Sequence, residues 1–438
     1  MEKIQINTAV LVIGSGPAGL AAAHAAAQSG AHVCMVDDNL LPGGQIWRGG
    51  ETQWKDARAH QLWQALQTME NVHILSQVKL VAWRAPQTMI FERVGNAIIQ
   101  ITWEKLILCS GARELFLPFT GWTLPGVTGA GGLQALVKAG AQLEGKKVII
   151  AGTGPLLFAV AETVKKAGAE IVLIAEQRSW TELFSFFIQL LRGHRSKAWQ
   201  ALKLFWNLLG VKYAPNTTVL AAQGTDRVLS VKIQHANAPE TTQELACDFL
   251  ACAYGLIPNL ELATVLQCHL HEGSVSVDDN QKTSHSSIWA AGEATGIGGV
   301  DKALAQGRIA GLAATNQSST EQERQFQKQG LAFANLLKTH FGIHPNDYPN
   351  RAQVLQKLCQ PDTIVCRCED VPASQLQPFQ DWRSAKLVTR AGMGPCQGRI
   401  CGAACQFLYN WDAPEQRQPI FPTSAATLAA MGDVSQAS

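Results

Sequence analysis

The chain has 438 residues, enough for two or three domains and a large hydrophobic core. Its 47% hydrophobic and 16% charged residues are typical of a globular protein and exclude a disordered chain. The net charge of +2 gives no argument for a nucleic acid or an acidic partner.

From the sequence we expect neither a membrane-spanning segment nor an export signal. No uninterrupted apolar run approaches the ~18 residues of a membrane span. The first strand follows Met-Glu-Lys almost at once, so we expect no signal peptide and a cytoplasmic location. In that reducing compartment the 11 cysteines are expected to be ligands and core residues rather than disulfides.

A strand, a glycine turn, a helix and a second strand follow one another near the start. The elements are expected at Val10–Ile13, Leu20–Ala27 and His32–Val36, and the turn contains Gly14, Gly16 and Gly19. These glycines form GxGxxG, in which the first permits the turn, the second lets a pyrophosphate approach and the third lets the helix pack closely. Asp37 is placed to bind a ribose. The pattern predicts a dinucleotide site without choosing between FAD and NAD.

Two short motifs before residue 113 are candidates for flavin contact. Gly43, Gly44 and Gln45 follow a proline, so this turn is either a plain loop or a place where the backbone passes close to a flavin. Ser110, Gly111 and Ala112 directly follow an apolar strand. Between the two motifs we expect a helix and an antiparallel layer of strands. Their expected ranges are Trp54–Met69 for the helix, and Val72–Trp83 and Met89–Trp103 for the strands.

A second strand–turn–helix–strand unit is expected from Lys147. Its turn carries Gly152 and Gly154, but the third glycine position is occupied by Leu157, and Glu176 closes the second strand. The leucine prevents the close helix–strand packing that a glycine allows. The unit therefore predicts a second Rossmann-like domain, while nucleotide binding by Gly152, Gly154 and Glu176 stays open.

The segment Trp180–Leu209 is helical in pattern and rich in tryptophan, phenylalanine and leucine, with basic residues clustered at Arg192–Lys203. Three interpretations stay open. The segment is a helical pair packed on the core, a surface buried against a partner protein, or a surface that makes peripheral contact with a membrane.

Gly292 and Glu293 end a short strand before a glycine-rich turn and a helix. A carboxylate at such a position is well placed to hold the ribityl or phosphate side of a flavin. The following segment, Asn316–Gln329, is polar and without periodicity, which predicts a linker.

Six cysteines follow that linker. Cys366 and Cys368 form a CxC pair, and Cys396 and Cys401 form a CxxxxC pair. Four such thiolates suit a [2Fe–2S] cluster or a tetrahedral zinc site, and the CxC pair with the glycines around the second pair favours iron–sulfur. Cysteines without any metal are the third alternative.

The motifs together carry a resemblance to a known family. The order GSGPAG, PGGQIWR, SGARE, LPGV, AGTGP and WAAGEATG resembles flavoprotein reductases with two dinucleotide-binding domains. With CRCEDV and TRAGMGPCQGRICG, the chain is similar to the larger flavin and iron–sulfur subunit of heteromeric amino-acid and opine dehydrogenases. That group includes octopine and nopaline oxidases, D-hydroxyproline dehydrogenase and hydrogen cyanide synthase. The C-terminal signature is similar to the bacterioferritin-associated-ferredoxin type of [2Fe–2S] domain.

The resemblance implies an α/β architecture with two Rossmann-like domains and a small C-terminal iron–sulfur domain. The implied ranges are 1–120 and 282–316 for the FAD domain, 121–281 for the second domain with a helical insertion at 180–209, 317–358 for a linker and 359–438 for the iron–sulfur domain. The implied FAD contacts are Gly14, Gly16, Gly19, Asp37, Gly43, Gly44, Gln45, Ser110, Gly111, Ala112, Gly292 and Glu293. The implied cluster ligands are Cys366, Cys368, Cys396 and Cys401.

The resemblance also implies a division of labour. A partner like a D-amino-acid oxidase binds the amine and its own flavin, while the subunit similar to this chain holds FAD and the cluster. A small ferredoxin-like subunit and a second flavin or nucleotide at a subunit interface are further implied components. The chain departs from broader reductase patterns at Ser110, where threonine is common, at Glu293, where aspartate is common, and at Leu157. The last departure counts against nicotinamide binding.

Two other functions stay open on the sequence. One is a stand-alone NADH-dependent flavoprotein reductase that feeds the [2Fe–2S] centre, and the other is a non-catalytic scaffold whose cysteines bind zinc. The sequence shows no Ser/His/Asp or paired-carboxylate arrangement that would oxidise the amine, so no catalytic residue is assigned.

Overall fold

The computed structural model describes residues 2–84, 86–93, 97–412 and 416–432. The chain divides into two compact units, the first drawn from residues 1–113, 257–335 and 415–438 and the second from residues 114–256 and 336–414. Each unit contains one of the two expected Rossmann-like domains. The unit boundaries differ from the expected ranges, because the end of the chain falls in the first unit and residues 359–412 in the second. Residues 433–438 of the expected iron–sulfur domain lie outside the described residues.

The strands form two large sheets and several smaller ones. In chain order they are β1 (Glu2–Ile13), β2 (Val33–Val36), β3 (Val72–Leu75), β4 (Val78–Arg84), β5 (Thr88–Arg93), β6 (Ala97–Leu108), β7 (Ala112–Glu114), β8 (Val127–Gly129), β9 (Lys147–Gly152), β10 (Glu170–Glu176), β11 (Tyr213–Ala214), β12 (Thr217–Gln223), β13 (Ser230–His235), β14 (Thr242–Ala246), β15 (Phe249–Ala253), β16 (Leu256–Pro258), β17 (Leu270–His271), β18 (Ser274–Val275), β19 (Ile288–Ala290), β20 (Ile364–Cys366) and β21 (Val371–Pro372). The expected segments Val72–Trp83 and Met89–Trp103 become β3 to β6, and residues 94–96 between β5 and β6 lie outside the described part of the chain.

The helices connect these strands and form much of the C-terminal part. They are α1 (Pro17–Gln28), α2 (Ala57–Thr68), α3 (Ala130–Lys138), α4 (Leu156–Lys166), α5 (Trp180–Gly193), α6 (Arg195–Asn207), α7 (Glu261–Val265), α8 (Gly299–Ala314), α9 (Glu321–Phe341), α10 (Pro349–Gln356), α11 (Ala373–Leu376), α12 (Trp382–Thr389), α13 (Cys401–Tyr409) and α14 (Ala425–Gly432). The expected helix Trp54–Met69 begins only at Ala57, because the Asp56 carboxylate accepts a hydrogen bond from the Arg58 amide and caps it there.

The large sheet of the first unit has the strand order β3-β2-β1-β6-β5-β4, and β19 pairs with β6. Strands β3, β2, β1, β6 and β19 are parallel, so their carboxyl ends lie at one edge. The register pairs Ile13 with both Val36 and Leu108, and Leu108 with Ala290. The motifs that follow these strands therefore meet at one edge of the sheet, where such folds bind ligands.

Helix α1 packs unusually close to α8. A Cβ atom on Gly307 would overlap the carbonyl oxygen of Ala18, and a Cβ atom on Gly311 would overlap that of Ala22. Glycines four residues apart on α8 let the two backbones approach. This contact fixes the start of α1 against the segment after β19.

The second unit contains a parallel sheet with the order β11-β10-β9-β15-β8 and an antiparallel sheet of β12, β13 and β14. At the carboxyl edge of the parallel sheet the register pairs Gly152 with Glu176 and with Ala253. Leu157 is fully buried in the core of this unit. The second Rossmann-like unit is thus present, with a leucine in place of the third glycine.

The segment Asn316–Gln329, predicted to be a linker because it lacks periodicity, contains the start of a long helix. Helix α9 begins at Glu321 and runs for 21 residues. The Thr320 hydroxyl accepts a hydrogen bond from the Glu323 amide at 3.3 Å, and the Glu323 carboxylate accepts one from the Thr320 amide at 2.7 Å. This capping box starts the helix, and Glu323 also pairs with Arg308 of α8.

Candidate functional site

The first glycine turn lies at the carboxyl edge of β1. Cβ atoms on Gly14 and Gly19 would overlap the carbonyl oxygens of Cys109 and Gly14, respectively, so both positions require glycine for packing. Gly16 differs, because the nearest atom to a Cβ there is the Cα of Gly44, 3.9 Å away. The absence of a side chain at Gly16 leaves space for a ligand phosphate at the start of α1.

Asp37 lies where the sequence predicts a ribose contact. Its Oδ2 atom accepts hydrogen bonds from the Ser15 amide at 2.6 Å and the Ser15 hydroxyl at 2.7 Å, which ties the end of β2 to the glycine turn. A cavity of about 150 Å³ lies beside these two residues. Its lining also includes Met35, Asn39, Leu40, Leu41, Pro42, Trp63, Ile74, Leu75 and Ser76. The largely apolar walls with one carboxylate suit the adenosine half of a dinucleotide.

The loop containing Gly43, Gly44 and Gln45 packs against the glycine turn. The Gly43 amide donates to the Ser15 carbonyl oxygen at 2.9 Å, and both glycines have positive φ angles, 110° and 60°. Gln45 holds the Arg48 guanidinium through its side-chain oxygen. The structure therefore brings this loop to the first site.

The segment Ser110–Ala112 is held by a residue that sequence reasoning did not assign, Asn259. The Ser110 hydroxyl donates to the Asn259 carbonyl oxygen at 2.8 Å, and the Asn259 side-chain amide donates to the Ser110 carbonyl oxygen at 2.9 Å. The Gly111 carbonyl oxygen accepts from the Asn259 amide at 3.0 Å. Arg113 then binds both Asn259 and Glu261. This clamp fixes the backbone after β6.

Gly292 and Glu293 follow β19 as predicted. The Glu293 carboxylate accepts hydrogen bonds from the amides of Gly298 and Gly299, the latter at 2.7 Å. The carboxylate thus caps the start of α8 itself, in addition to any contact with a ligand. Burial raises the pKa of Glu293, while Lys302 and these two amides favour its charged form.

Lys302 was missed by sequence reasoning. It is 1% exposed, and its Nζ donates to the carbonyl oxygens of Gly292 at 2.9 Å and Gly296 at 2.7 Å, and to the Thr295 hydroxyl at 3.1 Å. Burial lowers the pKa of Lys302 to about 8, and Glu293 opposes part of that shift. A lysine in the first turn of a helix is normally solvated. The role of Lys302 in stabilising the turn after Gly292 is therefore visible only in the structure.

The second glycine turn is closed by the chain itself. The ring of Phe341, at the end of α9, lies 3.3 Å from the position of a Cβ on Gly154, where a pyrophosphate would approach the backbone. The ring packs edge-on against Phe186 with 4.8 Å between centroids. Glu176 is fully buried and accepts hydrogen bonds from the amides of Gly154 and Arg178, each at 2.9 Å. The Phe341 ring thus lies at the approach to the second turn, which counts against a nucleotide there.

We therefore expect NADH neither to bind the second unit nor to bleach the flavin. The measurement is anaerobic addition of NADH to the wild-type chain, followed by absorption at the flavin band. Phe341→Ala should open the turn and produce measurable nucleotide binding by fluorescence, whereas Phe326→Ala, an exposed phenylalanine on the same helix, should not. Saturable NADH binding to the wild-type chain that is lost in Gly154→Val would contradict this interpretation.

The four cysteines predicted as ligands come together at β20 and the start of α13. The sulfur atoms of Cys368 and Cys396 are 3.9 Å apart. Hydrogen bonding with Cys401 lowers the pKa of Cys366 to about 6 and that of Cys396 to about 4, and it raises the pKa of Cys401. The Gly392 amide also donates to the Cys366 sulfur at 3.4 Å. The sulfurs thus form a connected group with two members biased towards thiolate.

Two further cysteines lie beside this group. Burial raises the pKa of Cys359 to about 11, and it also raises the pKa of the fully buried Cys405. Both are therefore neutral thiols at pH 7. The pKa of Cys368 is also raised by burial, and that of Cys401 by its hydrogen bonds with Cys366 and Cys396, so position in the CxC and CxxxxC pairs, and not protonation, distinguishes the predicted ligands.

The donor set fits a two-iron cluster, with amide donors directed at sulfur and a glycine-lined loop beside it. A Cβ on Gly394 would overlap the Cys368 side chain, so the loop can lie against this cysteine only with glycine at this position. Among the described residues, no group of three or more His, Cys, Asp or Glu side chains is arranged to hold a single metal ion. The cluster remains a proposal.

The helical pair α5–α6 is only partly packed on the core. Phe186, Leu190 and Ala198 are buried. Others, such as Leu183, Phe187 and Ile188, are partly buried. The exposed apolar side chains of the segment are Trp180, Phe184, Leu191, Trp199, Phe205, Trp206 and Leu209. We call these seven residues the aromatic face. The interpretation of the segment as a helical pair packed on the core therefore does not account for the aromatic face, which is exposed.

Comparison with known proteins gives the chain a family. The model of the pyridine nucleotide-disulphide oxidoreductase family matches residues 8–307, more than half of the chain. The chain belongs to this family. Membership makes it a flavoprotein oxidoreductase, and it implies FAD for the first site.

The relatives that match along most of the chain are subunits of more specific enzymes. One of the opine oxidase subunits of Rhizobium meliloti (strain 1021) is 30% identical over 429 residues, which cover 90% of this chain and 90% of the relative. Hydrogen cyanide synthase subunit HcnB of Pseudomonas protegens is 28% identical over 430 residues, with 90% of each chain covered. The resemblance drawn from the sequence is thereby confirmed.

The fold of this oxidoreductase is also found among solved structures. L-proline dehydrogenase from P. horikoshii superposes with a TM-score of 0.66 at 20% identity, covering 98% of this chain and 80% of that one. Thioredoxin reductase from T. acidophilum gives 0.53 at 19% identity, covering 71% and 98%. These likenesses show the fold with two dinucleotide-binding domains. Separately, none of the described helices combines the length and apolar character needed to cross a bilayer.

Proposed function

We propose that this chain is the electron-transferring flavin and iron–sulfur subunit of a heteromeric amino-acid, imino-acid or opine dehydrogenase. The observation that carries the proposal is that one chain contains a glycine turn with space for a pyrophosphate and four cysteines that lie close together. The names of its relatives, which are subunits of opine oxidase and of hydrogen cyanide synthase, support a role as one of several subunits.

The first unit would hold FAD. Gly16 leaves the start of α1 open to the pyrophosphate, Asp37 faces the ribose side of the cavity and the clamp on Ser110 fixes the backbone after β6. Lys302 braces the turn after Gly292 from beneath. When bound, FAD supplies a centre that exchanges two electrons and can pass them on one at a time.

The cysteine group would hold a [2Fe–2S] cluster. Cys366 and Cys396 are already biased towards the thiolate form in which sulfur binds iron. Amide donors such as that of Gly392 would stabilise the negative charge of the site and help to set its potential. When bound, the cluster supplies a one-electron centre.

The aromatic face supports the presence of a partner subunit. Trp199 is 74% exposed and Trp206 is 66% exposed, and side chains of this kind dominate the free energy of protein association when a partner buries them. The amine-oxidising subunit, which resembles a D-amino-acid oxidase, is the occupant we propose, since the chain's relatives are named as subunits.

The test is co-expression with the amine-oxidising subunit, followed by affinity purification. The double variant Trp199→Ser/Trp206→Ser should lose the partner, with each tryptophan contributing about 2 kcal/mol or more to association. Phe326→Ser, an exposed phenylalanine on α9, is the matched control and should retain it. The contradicting outcome is that the wild-type chain binds anionic vesicles in a flotation assay, that this binding requires the two tryptophans, and that the chain does not bind the partner. The aromatic face would then be assigned to a membrane surface.

A further inference from the structure

The outer side of helix α12 presents apolar side chains to solvent. Its inner side is buried through Trp382 and Ala385, whereas Leu387 is 68% exposed and Val388 is 71% exposed. Met393, in the loop that follows, is also exposed. We call Leu387, Val388 and Met393 the α12 patch. A helix of eight residues that turns leucine and valine outward has a surface that another molecule can bury.

The α12 patch adjoins the exposed end of the cysteine group. Cys368 is the exposed member of that group, and its side chain contacts Gly394, the residue after Met393. Arg390, which ends α12, forms an ion pair with Glu369 at 2.9 Å between Nε and Oε2. The patch and the Cys368 sulfur are therefore parts of one continuous surface, and a protein that covers the patch comes close to that sulfur.

The rim of this surface is mainly basic. Arg383, Lys386 and Arg390 occupy positions i, i+3 and i+7 of α12 and its end, so they lie along the side that also carries Leu387. Arg367 precedes Cys368 and is exposed, with its guanidinium 5.6 Å from the Trp122 ring centroid. The carboxylates beside them are Glu369, which Arg390 neutralises, Asp370, and Asp381 at the start of α12. Four cations against three carboxylates leave a positive excess, which favours an acidic partner.

We propose that the α12 patch is the docking surface for an acidic one-electron carrier protein, which exchanges electrons at the Cys368 end of the cysteine group. This inference rests on the proposed function, because it requires the cluster. A cluster held by these cysteines would supply a single electron to the carrier's one-electron centre, so that the cluster would be oxidised and the carrier reduced with no bond made or broken. The small patch with a charged rim suits the brief encounters typical of electron carriers. The aromatic face, with seven exposed apolar side chains, is a much larger surface of a different kind.

The experiment uses cytochrome b5 as an acidic probe and cytochrome c as a basic one. Binding to the full chain is followed by surface plasmon resonance, and reduction of each haem by the pre-reduced chain is followed by stopped-flow absorption. We expect cytochrome b5 to bind and be reduced faster at low salt, with a rate that falls as ionic strength rises. Equal behaviour of the two probes at every ionic strength would overturn the charge argument.

Two variants test the surface. Leu387→Gln/Val388→Gln should slow reduction of cytochrome b5 about tenfold or more, while the control Val354→Gln, another exposed valine, should not. Arg383→Glu/Lys386→Glu should slow cytochrome b5 and accelerate cytochrome c, while Lys232→Glu on β13 should change neither. Unchanged rates in both α12 variants would overturn the proposal. So would loss of the amine-oxidising subunit in them, since the surface would then have a different occupant. A chain without any cluster spectrum would instead refute the proposed function.

Discussion

Replacing Gly16 with leucine is expected to abolish FAD binding while leaving the fold intact. Gly16 has a φ angle of −71°, which any residue adopts, and the nearest atom to a Cβ there is 3.9 Å away. The protein itself therefore does not require glycine at this position, whereas the pyrophosphate does. We expect FAD affinity to fall at least about a hundredfold, which corresponds to about 3 kcal/mol.

The measurement is FAD content after purification, followed by titration of the apoprotein with FAD. Circular dichroism and the melting temperature of the apoprotein establish that the variant is folded. Gly193→Leu is the matched control, since a Cβ at Gly193 meets nothing within 4 Å, and it should retain FAD. Gly19→Leu should instead fail to fold, because its Cβ would overlap the Gly14 carbonyl oxygen. Full flavin occupancy in a folded Gly16→Leu protein would show that the first turn is not the FAD site.

The second large effect is expected at the cysteines. Replacing any one of Cys366, Cys368, Cys396 or Cys401 with alanine should remove the broad visible absorption of a [2Fe–2S] cluster, because each thiolate completes the tetrahedron of one iron. Iron content should fall from two atoms per chain towards zero. FAD content should not change, since these cysteines lie in the second unit.

Cys359→Ala and Cys405→Ala are the matched controls. Both lie outside the CxC and CxxxxC pairs, so neither is expected to bind iron. Loss of Cys405, which is fully buried, should cost some stability but not the cluster. Zinc in place of iron in the purified wild-type chain, or a cluster that survives removal of Cys366, would reject the assignment.

Much of the first site was predictable because its residues follow neighbouring parallel strands of one sheet. The GxGxxG turn, Asp37, Ser110 and Gly292 each come directly after an apolar run, and the carboxyl ends of parallel strands meet at one edge of the sheet. The cysteine group was likewise predictable from the spacing of the two close pairs. Within each pair the cysteines are neighbours already, so the chain has to reverse direction only once to bring all four together. Local order along the chain was sufficient in both cases.

Other features depend on contacts that no local pattern records. Phe341 closes the turn at Gly154 from 187 positions further along the chain, and nothing in its surroundings in the sequence indicates that role. In the sequence, Lys302 looks like any solvated lysine on a helix. Only the structure shows that its Nζ donates to the carbonyl oxygen of Gly292.

Two missed features did carry a signal. Thr320 and Glu323 form a capping box that identifies the start of α9, although the polar composition of the segment suggested a linker. Gly307 and Gly311 are four residues apart, the spacing of a close helix contact, and this contact is what sets α8 against α1.

The measurement that most directly tests the central claim is anaerobic addition of amine substrates to the isolated chain. We expect FAD and cluster spectra that do not change with octopine, nopaline, D-proline-type amino acids or glycine. Adding the amine-oxidising subunit should then restore reduction of both centres. Bleaching of the flavin by one of these amines in the isolated chain would contradict the account and place the site of amine oxidation in this subunit.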